Sequence, residues 1–207
     1  MSEEALRTIA APGRAELLIK RSRFIGLVLP CAAAAEAATH LGAARAEFPK
    51  ASHYVSAWRG FDAATGRITQ RHDDDGEPGG TAGRPVLQVL EAQGLGNALA
   101  IVVRYFGGIK LGAGGLVRAY ASAATAAATA ATLIPLERRA RLEIRVAYPL
   151  LALVEGWAAR EGIVIAARGF DPEPYLSAEL PQARLAACEA ALRQLTNGRV
   201  ALRRLDA

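Results

Sequence analysis

The sequence predicts a two-domain α/β (α+β) protein, and three observations carry that reading. Strand-like and helix-like segments alternate along a chain of 207 residues, of which 52% are hydrophobic, ample for a packed core. A charged stretch, "LERRAR" from Leu136 to Arg141, follows Pro135 and is the best domain boundary in the chain. Beyond it the order strand, helix, strand, strand, helix, strand fits into roughly seventy residues, the ferredoxin-like order. The expected domains are 1–136 and 137–207.

Each element has a local reason. "AELLIKRSRFIGLVLP" alternates and then runs apolar, which predicts two strands turning near Arg21 and Ser22. "AAAAEAATHLGAARAEF", Ala32 to Phe48, is helix-forming by propensity and ends at Pro49. "HYVSAWRG" and "GRITQRH" form a hairpin, with Gly66 supplying the turn of "FDAATG". "RPVLQVLEA" places Val86, Leu87 and Leu90 on one face of a short helix, and Pro85 is acceptable in its first turn. "ALAIVVRYF" is a continuous apolar strand, buried on both faces. The glycine-rich "GGIKLGAGG" leads into an alanine-rich helix from about Leu116 to Thr132, whose small side chains permit close backbone approach.

In the second part, "RLEIRVAY", "GIVIAARGF", "YLSAEL" and "RVALRRL" read as strands, "PLLALVEGWAAR" and "QARLAACEAALRQLT" as helices, and "DPEP" as a turn. Leu185, Cys188, Leu192 and Leu195 fall at helical spacing, so Cys188 is a core member. Cys31 and Cys188 show no CxxC spacing and sit in apolar surroundings, as reduced thiols of a cytoplasmic protein do. The N-terminus carries acids where a secretory signal needs a positive region. The long uncharged run from Ala119 to Leu136 is mostly Ala, Ser and Thr, a poor membrane span.

A net charge of +5 allows an acidic partner such as RNA, although no run of five or six basic residues occurs. Two stretches concentrate chemistry. "DDDGEPGG" crowds Asp73, Asp74, Asp75 and Glu77 together; if extended, Asp73, Asp75 and Glu77 share one side. An EF-hand loop fails, because Pro78 stands where glycine is needed and Arg84 where the bidentate glutamate belongs. A tight turn is the structural alternative, with the carboxylates favouring the positive end of the following helix dipole. "RYFGGIKLGAGGL" offers backbone amides at a helix N-terminus, with Lys110 and Arg118 adding positive charge, yet it satisfies neither GxGxxG nor the Walker pattern. His40, His53 and His72 share no metal spacing, and neither a resident metal nor a cofactor is expected, a magnesium ion held by the acids together with substrate phosphates being the minority alternative.

"RSRFI", "DDGEPGGTAGRP" and "VVRYFGGIKLGAGGLVRAY", in that order and spacing, resemble the signature of the YigZ/IMPACT family over most of residues 14 to 130, with "RAEFPKASHYVSAW" fitting between its motifs. The resemblance implies a first domain similar to domain IV of elongation factor G and a ferredoxin-like second domain similar to domain V of that factor, as in the bacterial two-domain members. It directs attention to Ser22, Arg23, Phe24 and His53, to Asp74, Asp75, Glu77 and Thr81, and to Arg104 and Tyr105. Lys110 and Arg118 join them as cations, and Phe24 or Tyr105 as stacking surfaces for bases.

The resulting expectation is a cytoplasmic, non-enzymatic RNA- or ribosome-associated protein linked to translation or its regulation, with no membrane role. Two alternatives stand beside it. One is an enzyme or binder for a phosphorylated or nucleotide-like ligand, using the acidic and glycine-rich loops. The other is a protein-interaction module presenting Asp74, Asp75 and Glu77 to a basic, translation-associated partner.

Overall fold

The structure, a computed structural model, describes residues 6–170 and 173–205. It divides into two compact units: the first runs to Phe61 and from Arg67 to Leu136, the second holds Asp62–Gly66 and the described residues from Glu137 onward. Both units are α+β with antiparallel sheets.

In the first unit the chain passes through β1 (Arg7–Ala11), β2 (Gly13–Ile19), β3 (Ser22–Pro30), α1 (Glu36–Glu47), β4 (His53–Phe61), β5 (Ile68–Asp73), α2 (Gly83–Ala92), β6 (Ala98–Tyr105), α3 (Ala113–Ala130) and β7 (Thr132–Pro135). Five strands pair in the order β2-β3-β6-β4-β5, with β6 in the centre. Its residues Ala98 to Val103 are buried, which is why they read as one apolar run rather than an alternation.

The two faces of this sheet have separate cores. On one, Phe24, Val28, Val55, Ala57, Ala100 and Val102 meet α2 and α3. On the other, Ile25, Tyr54, Trp58, Ile101 and Val103 meet α1. Alanine in α3 serves close approach: a side chain at Gly26 would sit 2.3 Å from the Ala123 carbonyl oxygen, and one at Gly13 would sit 2.0 Å from that of Ala127. Helix backbone therefore lies almost directly on strand backbone, which larger residues on either side would prevent.

Three boundaries differ from expectation. The first helix begins at Glu36, because Ala32 to Ala35 form bends and turns before it. The alanine-rich helix starts at Ala113, a turn early, because Gly112 adopts φ 73° and lets the chain enter the helix there. It ends at Ala130, and Pro135 closes β7, which pairs antiparallel with β1. Neither of these strands is evident from composition.

The second unit contains β8 (Arg139–Val146), α4 (Tyr148–Arg160), β9 (Val164–Gly169), β10 (Tyr175–Pro181), a 3-10 turn at Gln182–Arg184, α5 (Leu185–Leu195) and β11 (Val200–Leu205). The expected "DPEP" turn falls partly on residues 171–172, outside the described residues. The strands pair in the order β11-β8-β10-β9, all antiparallel. Leu142, Ile144, Leu176 and Leu180 face Val154 and Trp157 of α4 and Leu185, Cys188 and Leu192 of α5. No helix among the described residues is long and apolar enough to cross a membrane.

Candidate functional site

The acidic loop is not extended. Asp75 has φ 44° and Gly76 φ 85°, so the chain reverses, and each acid finds its own partners. Asp74 turns inward to the backbone: Oδ2 accepts the Gly80 amide at 2.8 Å, and Oδ1 accepts those of Ala82 and Gly83 at 3.0 and 2.7 Å. It thereby satisfies free amides at the start of α2, the work of a capping residue done from outside the helix. Desolvation pulls its carboxyl upward, but the amides of Gly80, Gly83 and Ala82 outweigh it and leave it below the ordinary value. Asp75 accepts the Tyr54 amide at 2.6 Å and Arg45 at 3.1 Å.

Glu77 is the deepest acid of this loop, 8% exposed. Its Oε1 accepts Arg104 Nη1 at 2.5 Å and the Tyr120 hydroxyl at 2.6 Å. Burial first, then Glu77, push the Tyr120 phenol well above its usual range, so it stays a donor. Ser22 Oγ accepts the Gly107 amide at 3.2 Å and lies 3.4 Å from Arg104 Nη2. Among the described residues Arg104 Nε has no hydrogen-bond partner, and the rings of Phe24 and Phe106 each lie 5.4 Å from its guanidinium carbon. His53 donates from Nδ1 to the Asp75 carbonyl at 2.8 Å, since only a protonated nitrogen can bond a carbonyl oxygen. Its Nε2 stands 3.8 Å from Glu77 Oε1.

Strand register explains this cluster. Arg104 lies opposite Phe24 on β3 and His53 on β4, so all three share the face covered by α2 and α3. Arg23 and Tyr105 pair one step further along and occupy the α1 face, where Arg23 lies 5.5 Å from the Tyr105 ring and binds Glu16. The residues singled out in the sequence are thus brought to one end of the sheet but divided between its faces.

Several of them do other work than expected. Phe24 is fully buried and meets Tyr120 edge-on at 5.3 Å, so it offers no ring to a base, unlike the partly exposed Tyr105. Ser22 and Arg104 are buried and bonded internally rather than open to phosphate. Thr81 donates to the Pro78 carbonyl at 2.6 Å, closing the loop on itself. Asp74, Asp75 and Glu77 hold the loop to α2, β4 and β6 instead of facing outward. Among the described residues no group of three or more His, Cys, Asp or Glu side chains is arranged to hold a metal ion.

The exposed charge lies elsewhere. Lys20 and Arg21, with φ 46° and 65°, form the two-residue turn between β2 and β3, and a side chain at Gly107 would meet the Arg21 carbonyl at 2.0 Å. Lys20 and Arg118 line a pocket of about 260 Å³ with Ile19, Leu111 and Ser122. Lys110 adjoins Leu111. Gly112 has no side chain to cap α3, and among the described residues no other side chain caps it, so its first-turn amides stay open to water or an anion. Sequence reasoning missed Lys20, Arg21 and Tyr120. The signals for them were a Lys-Arg pair where a hairpin favours Asn-Gly, and a lone tyrosine in an alanine-rich helix.

Fold and site together define a two-part α+β protein whose first part locks an acidic loop onto a buried arginine and leaves a cationic rim outside. The chain belongs to the IMPACT family: the family model "Impact N-terminal domain" matches residues 20–128. An "IMPACT family member in pol 5'region" of Thermus thermophilus is 40% identical over 88% of this chain and 98% of its own length. The "IMPACT family member YigZ" of Escherichia coli is 44% identical over 54% of each chain. A solved structure described as "Crystal structure of an hypothetical protein" superposes with a TM-score of 0.73 at 32% identity, covering 96% of both chains.

Proposed function

We propose that this protein is a cytoplasmic, non-enzymatic RNA- or ribosome-associated protein of translation, and that the first unit contacts phosphates through Lys20, Arg21, Lys110 and Arg118. The observation that carries the reading is the hairpin turn. Two cations hold both left-handed positions of a turn that glycine or asparagine would occupy with less strain, and among the described residues neither has a salt-bridge partner. Lys20 shares its pocket with Arg118 beside the open N-terminus of α3. The order βαββαβ in the second unit supports its ferredoxin-like assignment, and with it the likeness of that unit to domain V of elongation factor G.

Four phosphate contacts imply weak, salt-sensitive binding, on the order of micromolar, with a slope of log affinity against log salt of about −3 for a single strand. Filter binding of a 20-nucleotide single-stranded RNA, and co-sedimentation with ribosomes, at rising salt test this. Changing all four cations to alanine should flatten the slope and weaken retention at least about tenfold. If the wild-type chain retains neither RNA nor ribosomes at low salt, the reading fails.

A further inference from the structure

The second unit's sheet is covered by α4 and α5 on one face, and alternation sends the intervening side chains to the other. Register arranges these into two rows across all four strands. The first is Gly169, Tyr175, Arg145 and Ala201; the second is Ala167, Ser177, Glu143 and Arg203.

The first row is built flat. A side chain at Gly169 would stand 2.1 Å from Tyr175 Cε1, so the ring lies across the sheet over that glycine. Arg145 packs against the same ring, its guanidinium carbon 5.0 Å from the centroid. Small residues at the edge strands leave the pair uncrowded. In the second row Glu143 receives Arg145 Nε at 2.8 Å and Arg203 Nη2 at 3.0 Å, which fixes both guanidiniums while, among the described residues, their other N–H groups have no hydrogen-bond partner. Arg203 is 68% exposed. With Arg139 and Arg141 also on this face, four arginines stand against Glu143 and Glu179, so its charge complements a polyanion.

A planar cation laid over a planar ring, with further guanidinium donors one row away, suits a ligand that repeats flat bases and phosphates. A duplex hides its base faces in its own stack, whereas a single strand can lay one on the tyrosine or the guanidinium. We infer that the open sheet face of the second unit binds single-stranded RNA, with Tyr175 and Arg145 stacking a base and Arg203 contacting phosphate. This rests on the RNA reading of the protein but assigns a second surface, on different residues.

The test is fluorescence anisotropy of a labelled 12-nucleotide oligouridylate with the full chain. Tyr175→Ala should weaken binding about tenfold, the effect of one lost base stack, with the salt slope unchanged. Tyr175→Phe should keep wild-type affinity, which separates stacking from disruption of the unit. Arg203→Ala should reduce the slope by about 0.7. Binding of an RNA duplex should be the same for wild type and Tyr175→Ala. If Tyr175→Ala binds the oligouridylate as wild type does, or weakens duplex and single strand alike, the inference is overturned. Should that happen while changing Lys20, Arg21, Lys110 and Arg118 weakens binding, the proposed function survives and only the second surface is lost. No binding by wild type removes both.

Discussion

The acidic loop and the glycine-rich loop of the first unit look equally suited to bind something, and the structure gives them opposite employments. Asp74, Asp75 and Glu77 each meet donors from the protein itself, in the backbone of α2, in β4 and in β6. Lys110 and Arg118, around the glycines, meet no acceptor side chain among the described residues, and neither do Lys20 and Arg21 on the hairpin that packs against Gly107. A charge can recruit a ligand only when its hydrogen bonds are not already satisfied. Counting acids therefore overstated the acidic loop as a binding surface, and counting glycines alone understated the cations beside the other loop.

That contrast is broken most directly at Glu77. Replacing it with alanine leaves the Arg104 guanidinium buried without its carboxylate, a change that costs about 3–5 kcal/mol in comparable pairs. Urea unfolding of Glu77→Ala should show this loss, and Glu77→Gln, which keeps an acceptor oxygen, should recover part of it. The double replacement Glu77→Leu with Arg104→Met should recover more, because no lone charge remains. If the single alanine variant unfolds with wild-type stability, the acid is not structural and the loop is free to act outward.

Asp74 should have a smaller effect with a distinctive pH signature. Asparagine lacks the second acceptor oxygen, so the Gly80 amide or those of α2 lose their partner, at about 1 kcal/mol by analogy with other helix caps. Because the folded carboxyl titrates below its unfolded value, it contributes stability above about pH 4, and that contribution disappears as pH falls through the folded value. Urea midpoints measured from pH 6 down to pH 2 should fall more steeply for wild type than for Asp74→Asn. Parallel curves would mean that the three amide bonds contribute nothing.

How much of this was readable beforehand depended on range. The βαββαβ order, the amphipathic α2 and the double-sided burial of β6 are written locally, in helical spacing, turn residues and one apolar run. Alternation also places Ser22 and Phe24 on one face. It does not say that Arg104 will lie opposite Phe24 and His53, because the order β2-β3-β6-β4-β5 is set by pairing between distant segments. The inward role of Arg104, Glu77 and Tyr120 follows from that register. The pairing of β1 with β7 was illegible for a related reason: two short, largely exposed strands more than 120 residues apart carry no periodic signal.

The smallest effect on stability should also have the opposite sign. Lys20 and Arg21 sit at φ values that cost an L-residue with a side chain roughly 1–2 kcal/mol each relative to glycine, and asparagine tolerates them better than most. The double replacement Lys20→Asn with Arg21→Gly installs the Asn-Gly pair that a two-residue hairpin turn favours. It should therefore stabilise the first unit, by about 1 kcal/mol once the entropy gained by an unfolded glycine is subtracted. The same change removes two of the four cations on the rim, so affinity for single-stranded RNA should fall and the salt slope should flatten by about 1.4. Greater stability with weaker binding is what a turn shaped for a partner rather than for folding predicts. Urea unfolding and filter binding on the same preparation decide it: a variant that is less stable, or that binds RNA as wild type does, would show that the cations are there for the hairpin and not for a ligand.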